Sequence, residues 1–437
     1  MKMMGVAAGS AILAGATPAL VHAAPSAKPK GKAPREVVLV YWTVDGDEPA
    51  VLEIIDVWKK DTGVPVRWER TPNIEETFQK VLSMNLADDQ CDVTVMNNFN
   101  MAKWVKEGVV QPLDGLPGLD DYLKQMYPAA KSLATYQGKV WGLPYFLSLN
   151  TNSYNTKVFE KAKMTKISKS YAELGAMCIK MKKDGVVKYP IMWQAGIGPE
   201  HVSDTWYHLI GAENGKLFDK DMNILLDGNS VGRKTLKWWV DTVQKWQIAD
   251  PACVELRWIP AIKAYASGNY FYTNTRERYM NNANDPTKSP TAGQHKIFQI
   301  GKQTFSGNLW AMCSTAVDRE WSWKFLQYIG GHVDDGRYIM ADGRAKYALA
   351  SGWPQYSTKN PEIKALWNTM FNTMEEYEKQ FKTAIYIADV VPALNTTWYT
   401  DWVVKDMAPN LQKCLSGAIS ADAAADAIAS SVARYKK

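Results

Sequence analysis

The chain has 437 residues, 46% of them hydrophobic and 22% charged, which supports a large core and excludes intrinsic disorder, collagen and coiled coil. Its length accommodates two or three domains of ordinary size. The formal charge is +6, from 51 Lys and Arg against 45 Asp and Glu, but the basic residues are spread along the chain and form no stripe, which argues against a nucleic-acid partner.

Residues 1–24 carry one Lys, an apolar stretch of small residues, Pro18 as a breaker and the phrase Val21-His22-Ala23 before Ala24. That is the pattern of a signal peptide with an Ala-x-Ala-like cleavage site. Its opening is similar to a twin-arginine signal from which the arginine pair is missing. No Cys follows it, so no lipid anchor is expected, and residues 25–35 read as a flexible leader. The mature chain is expected in the periplasm as a soluble protein.

Val37 to Trp42 is a short β-rich apolar run, followed by Val51, Ile54, Ile55 and Trp58 at helical spacing, with Thr62-Gly63 closing the helix. A second strand over Val64 to Trp68, a helix over Phe78 to Ala87 and a third strand over Asp92 to Met96 follow. Such alternation predicts a parallel sheet with right-handed crossovers. Ligands then bind beyond the carboxyl ends of the strands. Gly138 to Lys157 reads as a strand, a Gly-Leu-Pro break and a second strand, suited to a crossing between domains. A second α/β block contains a strand at Tyr189 to Trp193, helices around Trp206 to Ile210 and over Val231 to Trp246, a strand at Lys296 to Ile300 and a helix over Asp318 to Ile329. The Ala-rich C-terminus reads as helical.

The five Cys lie at least 60 residues apart, with no spacing that closes a zinc site, and their odd number leaves any pairing open. No GxSxG, HExxH or P-loop pattern occurs. The expectation is therefore a protein that is not an enzyme and uses no metal or cofactor. Glycoside hydrolysis, which needs only two carboxylates about 5–10 Å apart, stands as an alternative.

Four phrases carry a resemblance: Val37 to Gly63; Tyr136 to Tyr145 with Asn152-Ser153-Tyr154-Asn155; Gly307 to Ile329; and Leu415 to Asp422. Together they resemble extracellular solute-binding protein family 1, the substrate-binding proteins of carbohydrate ABC transporters that include maltose-binding protein. The resemblance implies an α/β, two-lobed periplasmic-binding-protein type II fold, each lobe a mixed sheet flanked by helices, joined by crossing hinge strands. It implies lobe 1 at 36–146 and 303–345, and lobe 2 at 147–302 and 346–437. It also implies a small-molecule carbohydrate ligand, an oligosaccharide or modified sugar, delivered by a monomer to the membrane permease subunits of an ABC importer. A polyol, glycerol phosphodiester or polyamine ligand, or a sensory role, stays open. The chain departs from the family at Ser267 to Asn274, where bulky aromatics replace small residues.

A sugar cleft needs flat rings for C–H faces and planar polar groups for hydroxyls. Strand ends and Gly-rich loops nominate Trp42, Trp193, Trp310 and Trp353 as stacking rings, while Trp58 and Trp321 have helical spacing and read as core. Asp45 and Asn98, each after a strand, Tyr145 and Ser148 on the crossing, and Tyr272 and Arg276 in the aromatic segment complete the candidates. A structural ion pair between Arg276 and its neighbour Glu277 is the competing reading for that arginine.

Overall fold

The computed structural model describes residues 32–42, 48–196, 198–347, 349–353, 360–371 and 374–436. The signal segment, most of the leader and Asp45 lie outside them.

The chain opens with β1 (Val37–Tyr41), α1 (Glu48–Thr62), β2 (Val66–Arg70), α2 (Ile74–Leu86) and β3 (Val93–Asn97). β1 pairs in parallel with both β2 and β3, as the alternation predicts. β1 and β3 are buried at every residue, the mark of strands covered on both faces. α1 buries Ala50, Val51, Ile54 and Trp58, and the Trp58 ring meets Trp321, Phe325 and Tyr328 edge-on. Gly63, at φ 76°, ends that helix and donates its amide to the Lys59 carbonyl. α2 starts four residues before the apolar run suggested, because Asn73 caps it by accepting the Glu76 amide at 2.9 Å.

Two long strands join the halves of the molecule. The first, Leu143–Asn155, is one unbroken strand of 13 residues. Its first half pairs antiparallel with the second crossing strand, Thr304–Cys313. Its second half pairs with Tyr272–Arg276 and His295–Phe298. The second crossing strand also pairs antiparallel with β3 and parallel with Ile385–Tyr386. One lobe is thus built on β2, β1, β3 and the two crossing strands, the other on the far half of the first crossing strand with Tyr272–Arg276 and Ile191–Met192.

The far half of the first crossing strand is polar yet buried at every residue but Tyr154, so its side chains must find partners inside. Asn150 donates to Thr304, Thr151 to Gln380, and the Asn152 carbonyl accepts from Tyr272 at 2.6 Å. Helices Pro199–Ala212, Val231–Val243 and Ala421–Ser431 pack together around this lobe.

Candidate ligand-binding cleft

A cavity of about 320 Å³ lies between the lobes. One wall is Trp42, the turn Pro72–Glu75 and Asn97 to Phe99, all just beyond the carboxyl ends of β1, β2 and β3. The opposite wall is Trp258, at the start of helix Trp258–Tyr265, with Arg276, Arg278 and Tyr279. Phe146 and Ser306 to Asn308 from the crossing strands form the floor. A second concavity of about 520 Å³ shares Arg278 and Tyr279 and extends to Ile259, Lys263 and Tyr347. A third, of about 550 Å³, is lined by Lys157, Val158, Lys161, Val186 to Tyr189, Asp250 and Gly268 to Tyr270.

Arg276 is 3% exposed and serves mainly as a staple. Its Nη2 lies 2.8 Å from Asp204 Oδ1, and its Nη1 donates to the Ser148 carbonyl and the Ser306 hydroxyl. The ion pair expected with Glu277 is thus replaced by one with Asp204, on helix Pro199–Ala212. Glu277 instead accepts from the Ser148 hydroxyl at 3.1 Å and the Leu149 amide at 2.6 Å. Burial raises both carboxyls above their ordinary range, and Arg276 and Arg278 pull them back.

Arg278 projects over three rings, 4.7 Å from Tyr279, 5.3 Å from Phe146 and 5.6 Å from Trp258. It also donates to the Ser148 hydroxyl at 3.0 Å. His201 meets the Trp258 ring edge-on at 4.3 Å. Its imidazole is held down at about 4 by burial and by Arg257 and Arg276, so it is neutral at physiological pH and adds no charge to the cleft.

Of the residues nominated from the sequence, Trp42, Asn98 and Arg276 come together at this cavity. Asn98 is anchored by its backbone and side chain to Gly307, with Oδ1 accepting the Gly307 amide at 3.3 Å. Ser148 lies just beneath, its hydroxyl shared between Glu277 and Arg278. The structure places the other described candidates in the core, each for a packing reason. Trp193 is fully buried against Trp238, Trp239 and Tyr272, with Nε1 donating to Thr242 at 2.9 Å. Tyr272 spends its hydroxyl on Asn152. Tyr145 and Trp310 pack against each other and against Tyr41, with tilted or edge-on rings, inside the first lobe. Trp353, which the expected boundaries put in lobe 2, is buried there too and donates to the Gly330 carbonyl at 3.0 Å. Phe271 and Tyr272, in the segment that departs from the family, are core residues rather than pocket wall.

Phe146, Trp258, Arg278, Tyr279 and Asn308 are cleft residues that the sequence reading did not nominate. Their signal was weak: Trp258 opens a helix, where an aromatic ordinarily faces the core.

The family model for the bacterial extracellular solute-binding protein matches residues 44–252. The matched stretch is just under half of the chain. A binding protein of Brucella abortus strain 2308 is 26% identical over 149 residues, 34% of this chain and 35% of the relative, so the match spans about a third of that curated protein. The fold is that of maltose-bound MalE3 of T. maritima, with TM-score 0.74, 13% identity, and 91% of this chain and 99% of that one covered. It is equally that of a solute-binding protein of Agrobacterium radiobacter K84 in complex with ribitol, with TM-score 0.74, 17% identity, and 92% and 99% covered. The chain therefore has the two-lobed α/β architecture of these structures. Among its described residues no helix is long and apolar enough to cross a membrane.

Proposed function

We propose that this protein captures a carbohydrate, an oligosaccharide or modified sugar, in the interlobe cleft and delivers it from the periplasm to an ABC importer as a soluble monomer. The observation that carries this reading is the lining of the cavity. Five aromatic rings, Trp42, Phe99, Phe146, Trp258 and Tyr279, line it together with the amides of Asn73, Asn97, Asn98 and Asn308 and two guanidinium groups. Rings suit the C–H faces of a sugar and planar polar groups suit its hydroxyls. The adjoining concavity beyond Arg278 and Tyr279 gives room for more than one sugar unit.

Because the two walls come from different lobes, a ligand touching both favours the closed arrangement, and that difference is what a permease can read. The lobe boundaries that go with this reading are 36–146 with 303–345 and 147–302 with 346–437. Helix Ile339–Ala345 packing on α1 and helix Pro361–Phe371 packing on Met280–Asn284 support them, except that Trp353 packs on Tyr122 and Tyr338 of the first lobe, which moves the last crossing beyond residue 353.

Hydrolysis fits the site less well. Glu75 is the one carboxylate among the described lining residues, and Glu277 is committed to the Ser148 hydroxyl and the Leu149 amide. A polyol remains the second reading, favoured by the small size of the main cavity.

The test is a thermal-shift screen of residues 25–437 against neutral oligosaccharides, uronic acids, polyols and polyamines. Selective stabilisation by one sugar class without turnover supports the proposal. Stabilisation by polyols or polyamines alone, or product in the mixture, overturns it.

A further inference from the structure

Cys91, two residues before β3, and Cys313, the last residue of the second crossing strand, bring their sulfurs to 2.8 Å while both are fully buried. That is far inside the contact distance of two unbonded thiols and within reach of a bond. The backbone around them is already locked. The Cys313 amide donates to the Asp92 carbonyl at 3.0 Å, and Asp92 in turn accepts from the Val38 amide at 2.7 Å. Among the described residues the other three cysteines, Cys178, Cys253 and Cys414, are buried without a sulfur partner.

We propose that Cys91 and Cys313 form a disulfide in the mature protein. The oxidant is a small-molecule or protein disulfide: one thiolate attacks it, the second displaces the mixed disulfide, two protons and two electrons leave the cysteines, and the oxidant departs as two thiols. Burial of both sulfurs requires that this happen during folding, before the sheet closes. The bond clamps β3 to the second crossing strand at one end of the ladder whose other end, Asn97 opposite Asn308, lines the cleft. It therefore fixes the platform that presents the amides of the first lobe to ligand. Its presence in the cell rests on the export proposed above; the juxtaposition itself does not.

The test refolds the mature chain, residues 25–437, in a glutathione redox buffer and titrates thiols under denaturing, non-reducing conditions. Expected are three free thiols of the five, a mass lower by two hydrogens than after reduction, and a proteolytic peptide linking Cys91 to Cys313. Reduction of the native protein without denaturant should be slow. Cys91→Ser should lower the melting temperature by about 3–6 °C, and reduction should not lower it further. Five free thiols, or a linkage between other cysteines, overturns the proposal. If the refolded protein carries the bond and protein recovered from the exporting cell does not, the pairing stands and the export reading falls.

Discussion

Trp258 and Trp310 should respond in opposite ways to truncation, and the contrast tests the placement of the cleft. Trp310 is fully buried between Tyr41 and Tyr145, with ring centroids 5.0 and 4.4 Å away. Trp310→Ala removes a whole indole from a packed interior, a loss of about 3–5 kcal/mol. For a protein of this length that lowers the melting temperature by about 4–6 °C, since unfolding entropy grows by about 2 cal/mol/K per residue. Trp258 is half-buried, with one face toward the cavity. Trp258→Ala should cost stability only about 1 kcal/mol, the lost contact with His201 and Tyr279. It takes a stacking face from the ligand, worth about 1.5–3 kcal/mol, or one to two orders of magnitude in Kd. Differential scanning calorimetry of the free proteins and isothermal titration with the sugar found in the screen measure both quantities. A Trp258→Ala protein with unchanged Kd and a melting temperature lowered by several degrees, or a Trp310→Ala protein of native stability that no longer binds, would refute this assignment.

Arg276→Met should destabilise the protein by about 3–5 kcal/mol in urea titration, because it strands the buried Asp204 carboxylate; adding Asp204→Leu should recover most of that loss. Gly307→Ala places a Cβ 2.4 Å from the Phe146 carbonyl and 2.8 Å from Leu133, so the first crossing strand must shift, lowering both melting temperature and ligand affinity. Burial and the nearby Arg276 hold the His208 imidazole at about 3 against an ordinary 6.5. The folded chain therefore refuses a proton that the unfolded chain accepts: the contribution of His208 is intact above about pH 6.5 and is lost as pH falls toward 3. His208→Gln should flatten the acid side of the stability profile by about 2 kcal/mol between pH 6.5 and 4.5, measured by urea titration of both proteins.

The alternation of strands and helices was legible because it rests on local periodicity. Val51, Ile54 and Trp58 needed no distant partner to declare a helix face, and Gly63 declared its end. The roles of the tryptophans were not legible for a matching reason. The second crossing strand is buried at all ten residues, so it shows no alternation by which a core ring differs from a cleft ring. Trp310 stands in that strand and Trp193 directly follows the buried strand Ile191–Met192, and their neighbours Tyr41, Tyr145 and Trp239 come from elsewhere in the chain. The same holds for Arg276: its adjacent Glu277 suggested a local pair, and only the folded chain brings Asp204 to it. Asn98 and Trp42 were found because position after a parallel strand is itself a signal of the site.

The first crossing strand also explains how a ligand can act on the hinge. At Ser148 and Leu149 it passes from the apolar packing of one lobe to the polar interior of the other. There the Leu149 amide bonds to Glu277, and the Ser148 carbonyl accepts from Arg276. One edge of the strand is held there by these side chains, while the other stays paired with the second crossing strand at Phe305 and Ser306. Arg278, which faces the cleft, is tied to the same Ser148 hydroxyl that bonds Glu277. A ligand that draws the Arg278 guanidinium toward itself therefore pulls on the group that holds the crossing. On the proposed ligand-capture role, occupancy and closure would share one hydrogen-bonded unit, and the free energy of binding would bias the hinge directly.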